Sequence, residues 1–461
     1  MSHRDSQGVI RLNASCLKRT LQWLLGEVNW SGIHFRDDCT WTPCLLTAMA
    51  LLWAWSDELT LVERFASVRR ILLYLFSPPQ DPATSYQAFT KLLRRWTEPL
   101  LVRLQVALRE RLQRQLTDCW LVLGFAVFGV DGSRAELPRT RSNERAYAPS
   151  RKRGKSKKRA RRRFCRKASS KHSQTPQLWL TTMWHVGSGL PWDWRIGPSD
   201  SSERAHLLAM LSTLPPGALV LADAGFVGYE YVRAVLDSGR HLLLRVGSNV
   251  RLLKKLGYVR ERNHTVYLWP DREARKSQPP LALRLVVGHN GKHPIHLVTS
   301  VAADRLTEQQ VVELYARRWG IEVFYRHLKQ TFQRRKLRSA SAENALLELH
   351  WSFAGLWAMA LYALVEIRKQ RLPPRRLSIA QTLRAFRRML RDYRHPAERG
   401  RSLRERLRTA LIDRYQRQNK TSRDYPRKKQ ETPPGPPQIV NASRTQIQLA
   451  KRLRYEISKN G

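Results

Sequence analysis

Residues 307–332, TEQQVVELYARRWGIEVFYRHLKQTF, are the stretch that leaves the fold least freedom. Thr307 followed three residues later by Gln310 predicts a capping-box start, and no proline interrupts the residues up to Phe332. Leu314, Ile321, Leu328 and Phe332 recur near helical period, which predicts one helix with a buried flank. Tyr315, Arg318, Glu322 and Lys329 then fall within an arc of roughly 60° at 3.6 residues per turn. One carboxylate, two cations and a phenol share a single edge. Taken alone, that edge is explained by solvation and by pairing of Arg318 with Glu322 one turn on. The rest of the chain decides whether it does chemistry.

The charge balance is the first such argument. Lys and Arg number 83 against 37 Asp and Glu, a formal charge of +46. Such an excess repels itself unless it meets a polyanion, so nucleic acid is the first expected partner. An acidic membrane surface fits less well, because the basic residues are spread along the chain rather than flanking one apolar segment. The longest apolar runs, 45–55 and 351–365, fall short of the roughly 18 residues a span requires, so no membrane partner is expected. The N-terminus has neither the apolar stretch nor the cleavage site of a signal peptide. Five scattered cysteines argue for a reducing compartment, hence the cytoplasm and its nucleoid. His34, Cys39 and Cys44 lie close together but match no zinc spacing.

The order of elements predicts an α/β protein. Residues 1–118 read as a helical domain, and its segment 85–96, ending in Arg94 and Arg95, suits either DNA-end binding or a structural helix with a basic face. Residues 119–247 come next as the first part of a mixed sheet. It contains an apolar strand from residue 121 that ends at Asp131, a hairpin over 178–197, a capped helix, a second apolar strand ending at Asp223, a helix and a strand. Residues 248–300 read as a β-rich insertion. Residues 301–369 complete the core with the Glu322 helix and a helix over 345–367 behind the sheet. Residues 370–461 read as a basic helical region and flexible tail. The tract 151–167, RKRGKSKKRARRRFCRK, has no apolar period and reads as a loop suited to phosphate contact.

Two strand-end aspartates and one helix glutamate, Asp131, Asp223 and Glu322, are what a divalent-metal phosphoryl-transfer site requires. Close carboxylates repel one another unless cations fill the space, and two Mg²⁺ ions about 3.5–4 Å apart would activate the attacking oxygen and stabilise the leaving one. In this setting the chain resembles a known family. Tyr315, Arg318, Glu322 and Lys329 carry the spacing Tyr-x2-Arg-x3-Glu-x6-Lys of bacterial insertion-sequence transposases of the DDE superfamily, whose core is ribonuclease H-like. VDGS at 130–133, SSERAHLL at 201–208 and ADAGF at 222–226 also match, so the resemblance covers 121–365, with Ala224 where relatives often carry Arg.

The resemblance implies a ribonuclease H-like mixed sheet and a set of roles. Asp131, Asp223 and Glu322 would hold two Mg²⁺, with Mn²⁺ as a possible substitute. Water would cut transposon-end inverted repeats to free a 3′-OH that attacks target DNA, and a homodimer would form on double-stranded DNA. Arg318 and Lys329 would hold phosphates, with Tyr315 against the same backbone. Trp269, the sole Trp within 247–299, would hold a flipped base or form the core of a small β domain. The alternatives are a ribonuclease H-like nuclease or resolvase, a catalytically inactive DNA-binding descendant, and a basic RNA-binding protein.

Overall fold

The strand Val127–Glu136 (β1) starts apolar because its first four residues are buried on both faces. It begins later than the apolar run from Leu121 suggests, because Leu123 and Gly124 adopt φ of 50° and 81° and close a tight turn between Val122 and Phe125. The computed structural model describes residues 15–78, 85–148, 175–270, 278–290, 293–391, 402–412 and 435–460. The basic tract at 151–167 lies outside the described residues.

The strand β1 pairs antiparallel with Gln177–His185 (β2), which pairs in turn with Leu190–Pro198 (β3). On its other side β1 runs parallel to Leu219–Ala222 (β4), and β4 runs parallel to His241–Val246 (β5). The resulting order β3-β2-β1-β4-β5 is the expected ribonuclease H-like mixed sheet. The insertion does not stand apart as a separate sheet. Arg251–Lys254 (β6), Thr265–Leu268 (β7), Leu281–Asn290 (β8) and His293–Thr299 (β9) continue the sheet, because β9 pairs antiparallel with β5.

The end of the chain departs from the expected flexible tail. Gln438–Asn441 (β10) adds a strand parallel to β6, and the helix Arg444–Asn460 lays Ala450 and Leu453 on the insertion. An edge strand left open would expose unpaired backbone groups, and β10 covers it.

Ala450 and Leu453 also settle Trp269. Its side chain is 6% exposed among Tyr229, Leu253, Tyr267, Ala450 and Leu453, and its Nε1 donates to Gln278 O at 2.7 Å. The indole is core, not a surface awaiting a base. Trp269→Ala is expected to cost about 3–5 kcal/mol of stability, the range for a buried Trp truncation, and chemical denaturation measures it.

The helices group around Ala342–Arg368, which is buried along nearly its whole length. On one side it meets the sheet, with Trp194 and Phe353 ring centroids 4.5 Å apart. On the other it meets Pro43–Trp55 and Tyr86–Gln115, where Trp55 Nε1 donates to Gly355 O at 2.8 Å. The helices Ile379–Met389 and Leu403–Arg408 join the same core. Arg94 is occupied within this body, 2.7 Å from Glu343 and bonded to Asn344, so the 85–96 segment is structural at that residue. Among the described residues, no helix is long and apolar enough to cross a membrane.

Candidate active site

Parallel pairing of β1 with β4 brings two aspartates to one end of the sheet. Asp131 sits where β1 passes from buried to half-exposed, and its Oδ1 accepts from the Gly132 N–H at 2.9 Å. Asp223 follows β4 directly, and its Oδ1 accepts from the Ala224 N–H at 2.7 Å. The third carboxylate, Glu322, comes from a helix clamped to β1, where Tyr325 Oη donates to Asp131 O at 2.7 Å.

The stretch 307–332 is not one uniform helix. The capping box of Thr307 and Gln310 starts Glu308–Arg317, but Gly320–Arg326 is a separate α segment and His327–Thr331 is a π turn. At the joint the bonding shortens to i,i+3, with Arg318 N to Tyr315 O and Ile321 N to Arg318 O both at 3.1 Å. The joint packs tightly against Trp184 of β2: a Cβ on Gly320 would lie 2.1 Å from its ring. The backbone stays right-handed through Arg318 and Trp319, and Arg318 remains 3.6 Å from Glu322 across the joint.

Arg318 is the hub of that edge. Its side chain is 8% exposed, with Nη2 3.8 Å from Asp223 Oδ2 and 3.6 Å from Glu322 Oε1. Its Nε is buried without a hydrogen-bond partner. Tyr315 departs from the role of a backbone contact. It is 9% exposed, and its Oη donates to Asp223 Oδ1 at 3.2 Å, so it holds that carboxylate in place. Lys329 is half-buried in the π turn and feels Asp131 electrostatically.

Burial pushes the Asp131 carboxyl above its usual range and Asp223 adds to the rise, against the Gly132 N–H, Arg318 and Lys329. Burial also raises Glu322, with Asp131 and Asp223 reinforcing it and Arg318 opposing. The three carboxyls are therefore close enough to repel. Among the described residues, no three His, Cys, Asp or Glu side chains stand close enough to hold an ion as placed, and Arg318 supplies cationic charge among the carboxylates. The donor set still fits a hard divalent cation: all oxygen, from three anchored elements, with a repulsion that a cation relieves.

Two residues at the site escape a sequence reading. Glu203 lies against β1, where a Cβ on Gly132 would be 1.8 Å from its Oε1; burial raises its pKa first, then Asp131. The signals for it were its place at the head of the capped helix Glu203–Leu208 and within the matching segment SSERAHLL at 201–208. Trp319, beside Arg318, is 61% exposed. A large aromatic next to the polar edge of 307–332 was the available signal for it.

Comparison with known proteins adds the family. Transposase InsG for insertion sequence element IS4 of Escherichia coli (strain K12) is 28% identical over 228 residues, 47% of this chain and 51% of that one. The chain thus spans about half the length of that relative. A cryo-EM structure of the piggyBac transposase synaptic complex with hairpin DNA aligns with 91% of this chain and 88% of its own, at 13% identity and a TM-score of 0.39. The family model described as the transposase DDE domain matches residues 126–357, which runs from β1 through the Glu322 segment into the long helix and spans half of the sequence. With Asp131, inside β1, Asp223, at the end of β4, and Glu322 all within that span, the chain belongs to the DDE-domain transposases.

Proposed function

We propose that the chain is a DNA transposase that cuts transposon ends by hydrolysis and joins the freed 3′-OH groups to target DNA. The observation that carries this is the meeting of Asp131, Asp223 and Glu322, remote in sequence, around Arg318. Divalent ions, two Mg²⁺ with Mn²⁺ as a substitute, would be held by these three carboxylates and supply Lewis-acid activation of the attacking and leaving oxygens. Tyr315 and the Ala224 N–H fix Asp223, while the Gly132 N–H fixes the Asp131 carboxylate and Tyr325 the backbone beneath it. Arg318 and Lys329 hold phosphate oxygens and offset charge as the phosphodiester is cut. In the first step water adds to phosphorus and the 3′ oxygen leaves as the hydroxyl. In the second, that hydroxyl attacks a target phosphodiester and displaces another 3′ oxygen. The partners are double-stranded end repeats and target DNA, engaged by a homodimer in the bacterial cytoplasm, with the helical body assisting at the ends.

The test uses a duplex carrying the DNA that flanks the gene, with Mg²⁺ and a plasmid target. Nicks with 3′-OH ends followed by joined products are expected, and Asp131→Asn or Asp223→Asn should abolish both. Cutting without joining would favour a nuclease, and no cutting at all would reject the reading.

We infer that Trp319, the exposed aromatic beside Arg318, stacks on a base of the end DNA; its exposure, against the burial of Trp269, supports this. Trp319→Ala should weaken end binding by about 1–3 kcal/mol, the range for one stacked base, with an unchanged melting temperature. Titration of end DNA in EDTA measures it, and unaltered affinity would remove Trp319 from the interface.

A further inference from the structure

A second cationic site lies beyond the carboxylates. The helix Ile379–Met389 turns its apolar side inward, where Phe386 meets Trp55 with ring centroids 4.8 Å apart. Arg384, Arg387 and Arg388 follow at i, i+3 and i+4 on this helix, which aligns them on one side, and Arg391 lies two residues past its end. They wall a cavity of about 500 Å³ together with Asp57 and Thr331. Thr331 and its neighbour Gln330, also in the wall, belong to the π turn that carries Lys329. The cavity therefore begins within two residues of the proposed phosphate contact of the active site.

Among the described residues of its wall, four arginines face one carboxylate, Asp57. Arg391 pairs with Asp57 at 2.8 Å. Arg384 and Arg387 instead hydrogen-bond neutral oxygens, Gln381 Oε1 at 3.2 Å and Trp55 O at 3.1 Å. Asp57 also attracts Arg387, while Arg391 and Arg338 add cationic charge around it. Concentrated guanidinium groups around a cavity are matched best by an oxyanion, because their planar forks suit phosphate geometry.

We propose that this pocket binds phosphate groups, and that its ligand is the phosphodiester backbone of DNA adjoining the cleavage site. The proposal rests on the transposase reading above. DNA is favoured over a free phosphate because Arg384 and Arg391 are exposed, so a continuous strand can enter and leave, and because the wall shares a turn with Lys329.

The test is binding of a random-sequence duplex to the full chain in EDTA, followed by fluorescence anisotropy across a salt series. The parent should show a steep fall of log affinity with log salt. Arg384→Gln/Arg388→Gln should flatten that slope by about 2, close to 0.9 for each lost phosphate contact. Arg384→Glu, a reversal at an exposed residue, should flatten it as well, and circular dichroism melts should match the parent for both. A steep slope in the parent that neither variant alters overturns the pocket while leaving the transposase reading intact. A parent that binds no duplex overturns that reading and this assignment together. Protection of the parent by inorganic pyrophosphate, absent in the variants, with duplex slopes unchanged, would give the pocket to free phosphate and reject DNA.

Discussion

Glu322→Gln should lower metal-dependent cleavage by about a thousandfold or more while raising the thermal midpoint of the metal-free protein. The loss comes from removing one of three anionic donors in a site that works by placed charge. The gain comes from relieving the burial of a charged carboxylate and, after it, the repulsion among the carboxyls. Burial, Asp131 and Asp223 hold Glu322 above the usual carboxylate range despite Arg318. A folded-state pKa above the unfolded one means the folded protein keeps a proton that the unfolded chain releases. The stability this contributes is present in acid and is lost as pH rises through the folded pKa. Asp131 shifts in the same direction. The Gln variant should therefore match the parent in acid and exceed it as pH approaches neutrality. Mg²⁺ should erase the difference by stabilising the parent alone, since a ligand of the folded state shifts its midpoint by mass action. Melting curves across pH with and without Mg²⁺ measure all of this. Parent-like cleavage by the variant would remove Glu322 from the site, and a lower midpoint at neutral pH would show that the repulsion is not net.

The three carboxylates were legible because each is announced locally. Apolar runs end at Asp131 and Asp223, and buried parallel strands deliver such residues to a common edge. Glu322 was legible from helical period, since the edge it shares with Arg318 and Lys329 depends only on residues 315–329. What the sequence hid was set by distant contacts. The joint at Arg318 and Trp319 meets Trp184, more than a hundred residues earlier. Burial of Trp269 depends on Ala450 and Leu453, from a segment after a Pro-rich stretch that carries no strand signal. Tyr315 turned to Asp223 rather than outward because β4 ends beside it, a fact of the sheet and not of the helix. Glu203 reaches Gly132 only after the β2–β3 hairpin folds back.

Gly320→Ala should cost about a hundredfold in cleavage with only modest loss of DNA affinity, because Gly320 sets the distance between the Glu322 segment and the sheet. The added methyl would sit 2.1 Å from Trp184 Cη2, 2.8 Å from Cζ2 and 3.0 Å from Cζ3. The indole has no easy retreat. It is buried, and Gly129 and Gly189 border it at 3.7 and 3.8 Å from where their own Cβ atoms would lie. Relief has to come from the helix, and forced overpacking of this kind costs about 1–3 kcal/mol. Glu322 rides two residues further along, so a shift of about 1 Å at the joint moves its carboxylate off Asp131 and Asp223, enough for a loss of about 10²-fold. Trp184→Leu should restore part of the rate in the double variant by vacating the ring's volume, although alone it leaves a void and lowers stability. A coupling of this sign between residues 184 and 320, read in cleavage rate as well as in melting temperature, identifies the contact as a positioning device. If Gly320→Ala cleaves like the parent, or if Trp184→Leu fails to improve it, the slot around the indole is packing alone and the placement of Glu322 is fixed elsewhere.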